Sequence, residues 1–241
     1  MKVIISLTSI PPRFDKLERV LTALLVQTCH EIWLNIPRNY TRFPDWDGKI
    51  PTRLIGLDPK IKVNLDCEDM GPATKFMGPV KHLDPADIIV YLDDDTEYDP
   101  KLVTNLLKWH GYDPNSAWGL SGFNFESYFK GHFPRQHGVP VDVIEGYGSV
   151  IVKAGWVAGY VPDDGRMADD VIISNLLEKQ GIKRKTVCTP ECNLSHLKQF
   201  DYGFEPDALH NQVQGGHREN YRKVLENLTY KNNNYFGYKC S

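Results

Sequence analysis

Hydrophobic and polar positions along the chain fall into blocks whose period changes. The runs Val3-Ile4-Ile5 and Ile88-Ile89-Val90-Tyr91-Leu92 are continuous rather than alternating, the pattern of strands buried on both faces of a parallel sheet. Leu17, Val20, Leu21, Leu24 and Leu25 instead recur at helical spacing and form one apolar face, preceded by Asp15 and Glu18 at the spacing of a capping box. The whole pattern predicts strands over 3–7, 31–36, 62–65, 88–92, 118–123, 141–145, 149–153 and 185–188. It predicts helices after Asp15, from Gly71-Pro72 to about 82, after Asp99-Pro100, over 168–180 with Gly181 as its stop, and over 217–228. Pro11 and Pro12 close the first strand. Gly146-Tyr147-Gly148 is expected as a turn between two strands, 124–140 as a long polar and aromatic loop, and the end of the chain as a loose tail.

Alternating strand and helix signals predict an α/β fold, with a mostly parallel central sheet and helices on both faces. No internal repeat and no linker divides the 241 residues, so 1–241 is expected as one domain. The net charge of -3 gives no basic field for nucleic acid. No apolar stretch reaches the roughly 18 residues that a membrane span requires. The start of the chain turns polar too early for a signal peptide. An odd count of five cysteines then fits a reduced, cytoplasmic setting. Cys188 and Cys192 lack a second ligand pair for zinc. Without a secretory route, Asn39-Tyr40-Thr41, Asn193-Leu194-Ser195 and Asn227-Leu228-Thr229 are chance matches to glycosylation acceptors.

The chemistry concentrates at Asp93-Asp94-Asp95, directly after the buried run 88–92. Open α/β sheets place ligands beyond the carboxyl ends of their strands. Adjacent carboxylates repel and raise one another's pKa, so a cation is expected to neutralise them, most simply Mn²⁺ or Mg²⁺. Asp95 is the expected direct metal ligand. Asp93 would reach a ribose or a metal-bound water, and Asp94 points the other way. A solvated acidic turn is the competing explanation.

Three further segments carry candidates. Gly71-Pro72 opens a helix whose N-terminus suits an anion, with Lys75 in reach of a phosphate or sugar. At the corner 8–13, Thr8 or Ser9 would bond a nucleobase and Arg13 a phosphate, unless Arg13 is simply exposed on a proline-fixed turn. Asp169 and Asp170 start a helix, where the macrodipole explains one acid and leaves one available as a general base. His196 follows the last strand, where a third metal ligand would sit, with His210 and His217 as competitors. Tyr128, Phe129 and Trp156 are candidates for stacking on a sugar, against an ordinary core role.

A buried strand ending in Asp-x-Asp after about three strand units resembles the GT-A-fold glycosyltransferases, whose fold is a Rossmann-like three-layer sandwich. The segments 6–13, 69–75, 91–95 and 168–170 occur in the order found in small single-domain viral and microbial members of that fold, some of which decorate capsid glycoproteins. The resemblance implies that 1–100 binds nucleotide and 101–230 binds acceptor. It implies that Thr8, Arg13 and Asp69 hold the nucleotide, and Lys75 the diphosphate or sugar. Asp93 and Asp95, with Asp94 beside them, would serve the ribose and a Mn²⁺ or Mg²⁺, joined by His196 as the third ligand. Gly146 would back the donor sugar. Asp169 or Asp170 would activate the acceptor, and Ala-Asp-Asp in place of an acidic pair with Glu first leaves both open.

The implied function is metal-dependent transfer of a sugar from a nucleotide-diphosphate donor, UDP by resemblance, to a hydroxyl of a glycan or glycoprotein, with inversion. The setting would be the cytoplasm, that of a host cell if the chain is viral. Two alternatives stand beside it. One is an inactive sugar- or nucleotide-binding domain of the same fold. The other is an Asp-nucleophile phosphatase, disfavoured because position 97 is Glu and the aspartates follow a late strand.

Overall fold

The computed structural model describes residues 1–125, 137–162, 168–208, 211 and 221–224. The segments 126–136 and 163–167, most of the expected helix over 217–228 (of which 221–224 are helical), and the candidates Tyr128, Phe129, His210 and His217 lie outside the described residues. Among the described residues no helix is long and apolar enough to cross a membrane.

The continuous apolar runs become the centre of the sheet. In chain order the elements are β1 (Val3–Thr8), α1 (Leu17–Leu24), β2 (Glu31–Asn35), β3 (Ile61–Asn64), α2 (Thr74–Met77), β4 (Ile88–Tyr91), β5 (Thr96–Glu97) and α3 (Leu102–Tyr112). There follow β6 (Ser116–Phe123), β7 (Val143–Lys153), α4 (Ala154–Val157), α5 (Asp169–Lys179), β8 (Lys183–Thr186) and β9 (Lys198–Gln199). Among the described residues seven strands form one sheet, ordered β3-β2-β1-β4-β7-β6-β8, and β5 pairs with β9 as a separate ribbon. Every neighbour pair in the sheet is parallel except those that involve β7. Side chains alternate between the two faces. Ile5, Leu7 and Val90 pack with α1 and α3, whereas Ile4, Ile89 and Tyr91 pack with Phe76 of α2 and Val171 of α5. The result is the expected three layers.

Local departures have local causes. Asp15 and Glu18 do not form a capping box, because residues 11–16 are a 3-10 helix that runs straight into α1 and leaves no free helix start. Both carboxylates instead pair with Arg53. Asp99 turns the chain into α3 by accepting from the Lys101 N–H at 2.8 Å, which moves the helix start to Leu102. The two strands expected around Gly146-Tyr147-Gly148 are one strand, β7. Gly119 faces Val150 but Ser121 faces Glu145, so Gly146, Tyr147, Gly148 and Ser149 bulge out opposite the single residue Leu120. Ser149 takes φ 79°, which turns the chain back into register without ending the ladder.

One polar ladder fixes α2 to the carboxyl ends of three strands. The Ser6 hydroxyl donates to the carbonyl of Lys75. The Asn35 amide donates to Ser6 Oγ at 2.8 Å, and Asn64 donates to Asn35 Oδ1 and to the Gly78 carbonyl, both at 2.9 Å. Ser6 and Asn35 are fully buried, so each group depends on the next. Gly78 has no alternative, since a Cβ there would lie 2.4 Å from Asn35 Oδ1.

Replacing Asn35→Ala removes the donor to Ser6 Oγ and one of the two acceptors of the Asn64 amide, and is expected to destabilise the fold by about 1–3 kcal/mol. Urea unfolding followed by circular dichroism measures it, and an unchanged midpoint would contradict the ladder's role.

Candidate active site

Beyond β4 the three aspartates do not act as a block. Asp94 turns inward, where it accepts from the Ser9 hydroxyl and from Arg13 Nη1 at 2.8 Å. Asp95 lies 3.4 Å from the same guanidinium nitrogen. Asp93 faces the opposite way and accepts from Lys75 Nζ at 2.9 Å, with its side chain 30% exposed. Arg13 is therefore neither on the surface nor directed at open solvent. It is a buried ion-pair centre, approached from a third side by Asp207 at 3.6 Å.

Lys75 joins the aspartate triplet to the start of α5. Its ammonium, in a side chain only 5% exposed, reaches Asp93 at 2.9 Å and Asp169 at 3.2 Å. Burial opposes its charge, but Asp169, Asp93 and Asp170 outweigh that and hold its pKa well above the ordinary lysine value. Gly146 completes the wall, because a Cβ there would lie 2.7 Å from Lys75 Nζ. The Gly146 N–H donates to Asp170 Oδ1 at 2.8 Å, and the Tyr221 hydroxyl donates to Asp170 Oδ2 at 3.2 Å. Burial first, then repulsion from Asp169, pushes the Asp170 carboxyl well above the carboxylate range despite Lys75 nearby. Burial thus favours the protonated form of Asp170, while the donors on both of its oxygens and the nearby Lys75 favour the charged one.

The structure therefore gathers Lys75, Asp93, Asp169, Asp170 and Gly146 into one cluster, and Arg13, Asp94 and Asp95 into a second next to it. The other candidates have separate partners. Thr8 donates its hydroxyl to the Asn35 carbonyl at 2.8 Å. Asp69 accepts from the Thr41 and Gly71 N–H groups at 2.7 and 3.0 Å, which fastens two loops together. His196 sits 3.7 Å from Asp99, beyond β5 rather than beside Asp95. Trp156 lies in the helical layer against Lys153 and His110. Sequence reasoning missed Tyr98, Tyr202 and Asp207. Tyr98 takes the Asp93 N–H on its hydroxyl at 2.9 Å, and Tyr202 donates to the Asp94 carbonyl at 2.8 Å. Nothing local in the sequence marks them, since each arrives through a tertiary turn.

The donor set suits a hard divalent cation. Every ligand on offer at the triplet is a carboxylate oxygen. Burial, then Asp93 and Asp94, push Asp95 up to about 7 against the pull of Arg13. Among the described residues no three His, Cys, Asp or Glu side chains converge as a complete metal cage. Contrary to the expectation that Asp94 alone points the other way, Arg13 draws Asp94 and Asp95 to one side and leaves Asp93 on the other, so an ion at Asp93 would share its coordination with a bound ligand rather than be enclosed by protein.

No protein-family model and no curated protein matches the sequence. Solved structures do match in shape. A mannosyltransferase from Pyrobaculum calidifontis, in complex with GDP-Man and Mn²⁺, superposes with a TM-score of 0.53 at 17% identity. The match covers 80% of this chain and 56% of that one. A 4-diphosphocytidyl-2C-methyl-D-erythritol synthase gives a TM-score of 0.49 at 15% identity, over 82% of this chain and 92% of that one. The property shared with the mannosyltransferase is the fold, an α/β, Rossmann-like layered sheet of the GT-A type.

Asp170→Asn keeps both hydrogen bonds, since its carbonyl accepts from Gly146 and its amide donates to Tyr221. A carboxyl whose pKa folding raises contributes stability at low pH and loses it as pH rises through the raised value. Calorimetric melting is therefore expected to fall as pH rises from about 4, the ordinary carboxylate value, in the wild type, and to fall less in the variant. Equal slopes would mean that Asp170 is already ionised at the lower pH.

Proposed function

We propose that this chain is a glycosyltransferase that uses a divalent cation to move a sugar from a nucleotide diphosphate to a hydroxyl of a glycan or glycoprotein, with inversion. The observation that carries the reading is the Lys75 bridge, which joins the triplet after β4 to the carboxylate that starts α5. Donor-side and acceptor-side groups then share one cation at the carboxyl ends of the parallel strands, where such sheets bind ligands. The mannosyltransferase of the same fold, complexed with GDP-Man and Mn²⁺, supports a nucleotide-sugar donor and a metal. The sequence resemblance favours UDP as the carrier. On this reading 1–100 serves the nucleotide and 101–230 the acceptor.

Asp93, the exposed member of the triplet, would hold Mn²⁺ or Mg²⁺, with Asp95 turning from Arg13 to join it, and the ion when bound would neutralise charge on the leaving diphosphate. A diphosphate entering beside Asp93 competes for Lys75. As Lys75 turns to it, the buried carboxylate of Asp169 loses its cationic partner. Asp169 then takes the proton of the acceptor hydroxyl as its oxygen bonds to the anomeric carbon. The bond from that carbon to the diphosphate oxygen breaks on the opposite face, and its electron pair leaves with the diphosphate. Asp170 already accepts on both oxygens, from the Gly146 N–H and the Tyr221 hydroxyl, and is held by the wall of the site. Its role is to fix Gly146 against Lys75.

Two measurements test the reading. Melting curves with UDP, GDP, ADP or CDP, each with and without Mn²⁺, are expected to show at least one nucleotide that stabilises only with the ion, an effect absent in Asp95→Ala. Asp169→Asn is expected to keep that binding but lose about 10²–10⁴-fold in kcat, while Asp170→Asn keeps most of its turnover. A fully active Asp169→Asn would place the base elsewhere, and no nucleotide response at all would end the transferase reading.

A further inference from the structure

Arg13 has a buried donor to spare. Its Nη1 is used twice, donating to Asp94 at 2.8 Å and reaching Asp95 Oδ2 only at 3.4 Å, and its Nη2 lies 3.5 Å from the Tyr202 carbonyl. Its Nε is buried and bonds nothing among the described residues. The Asp207 carboxylate faces that Nε at 3.6 Å. Both Asp207 oxygens are likewise buried and accept from no donor among the described residues. Arg42 Nη2 donates at 2.7 Å to the Asp207 carbonyl, so it holds the backbone and leaves the carboxylate unserved.

A charged donor and a charged acceptor, both buried and both unmade, are costly singly and favourable together. A shift of about 0.7 Å would bring Nε and Asp207 to the usual length of such a bond, about 2.9 Å. The contact that yields is the loose one to Asp95, while the 2.8 Å bond to Asp94 serves as the pivot. Thr96 and Gln199 also touch Asp95, but they carry no charge. Among the described residues Arg13 is the one cation in ion-pair contact with Asp95. A divalent cation on Asp95 repels the guanidinium and satisfies the carboxylate that the guanidinium leaves.

We infer that Asp207 is a positioning residue of the cation site: as a divalent cation takes Asp95, Arg13 keeps Asp94 and passes its second carboxylate contact to Asp207. The inference rests on the reading of Asp93 and Asp95 as the residues that hold the ion. Asp207 touches neither the ion nor a substrate and acts through Arg13 alone. The exchange keeps the guanidinium paired on two sides throughout, so no buried charge is stranded when Asp95 turns.

The test follows melting midpoints over a series of Mn²⁺ concentrations, with no nucleotide and with UDP, GDP, ADP or CDP, for the wild type, Asp207→Asn and Glu205→Gln. Asp207→Asn keeps the shape and removes the charge that Arg13 would take. Glu205→Gln removes the same charge two residues away, where Glu205 pairs with Lys16 at the surface at 2.7 Å. With the nucleotide that responds best, Asp207→Asn is expected to melt no lower than the wild type without Mn²⁺, and to need about tenfold more Mn²⁺ for half of its stabilisation. Glu205→Gln is expected to change that requirement by less than about twofold. The inference is overturned if Asp207→Asn keeps the wild-type Mn²⁺ requirement. It is overturned if the variant loses as much stability without Mn²⁺ as with it, which makes Arg13 and Asp207 a fixed pair. It is also overturned if Glu205→Gln raises the requirement equally, which makes the effect one of net charge. A wild type that shows no response to Mn²⁺ with any of the nucleotides removes the cation reading itself, and the inference with it.

Discussion

A buried ammonium sets the terms for the centre of this protein. Lys75 is 4% exposed, and an ion so placed is costly unless carboxylates surround it. Asp93 and Asp169 meet that demand from two elements far apart in sequence, so the end of β4 and the start of α5 must lie together. The demand spreads outward. Lys75 arrives from α2, which Ser6, Asn35 and Asn64 hold against the sheet ends. Gly146 must lack a side chain because the ammonium occupies that space.

Arg13 solves a different problem nearby. Asp94 and Asp95 leave the strand on the side away from Lys75, and the guanidinium takes both. The segment around 200–207 then closes over them. The Phe200 N–H bonds the Asp95 carbonyl at 2.7 Å, and a Cβ on Gly203 would stand 2.7 Å from Asp95 Oδ2. An arginine suits this crossing because its planar fork serves several acceptors at once and stays charged when buried. The triplet is thereby divided between an exposed member free to meet a ligand and two inward members that lock the surrounding chain. Burial pushes Asp95 up to about 7 here, with Asp93 and Asp94 adding to it against the pull of Arg13.

Most of the fold was legible because parallel strands buried on both faces leave continuous apolar runs, and β1, β2 and β4 fall within a residue or so of the expected bounds. Legibility failed where geometry overrode local signals. Glycines around 146 read as a turn, yet the strand absorbs them as a bulge because Ser149 tolerates a positive φ. A capping box at Asp15 was plausible until two prolines extended a 3-10 turn into the helix. At the site, the triplet and Asp169-Asp170 were visible as acids at element ends. Their pairing through Lys75 was not, since a lysine four residues past a Gly-Pro turn carries no sign that it will be buried. Arg13 was visible as a candidate but its partners were not, and Asp207 and Tyr202 come from a stretch without regular pattern.

The bulge shows how a single irregularity can separate two chemistries. An unbroken β7 would keep Glu145 and Tyr147 in the flat plane of the ladder, with one residue opposite each position of β6. Four residues opposite Leu120 lift that segment out of the sheet at the rim where the parallel strands end. Its backbone then has donors and acceptors to spare. The Gly146 N–H goes to Asp170 and the Tyr147 carbonyl faces Tyr98, so the raised segment is fastened at both the charged cluster and the triplet. Glycine makes room for Lys75 on one side, and a carboxylate with a tyrosine shapes an open groove on the other. A raised segment of this kind is positioned by the sheet rather than by a mobile loop, which is the condition under which a site's groups keep fixed orientations.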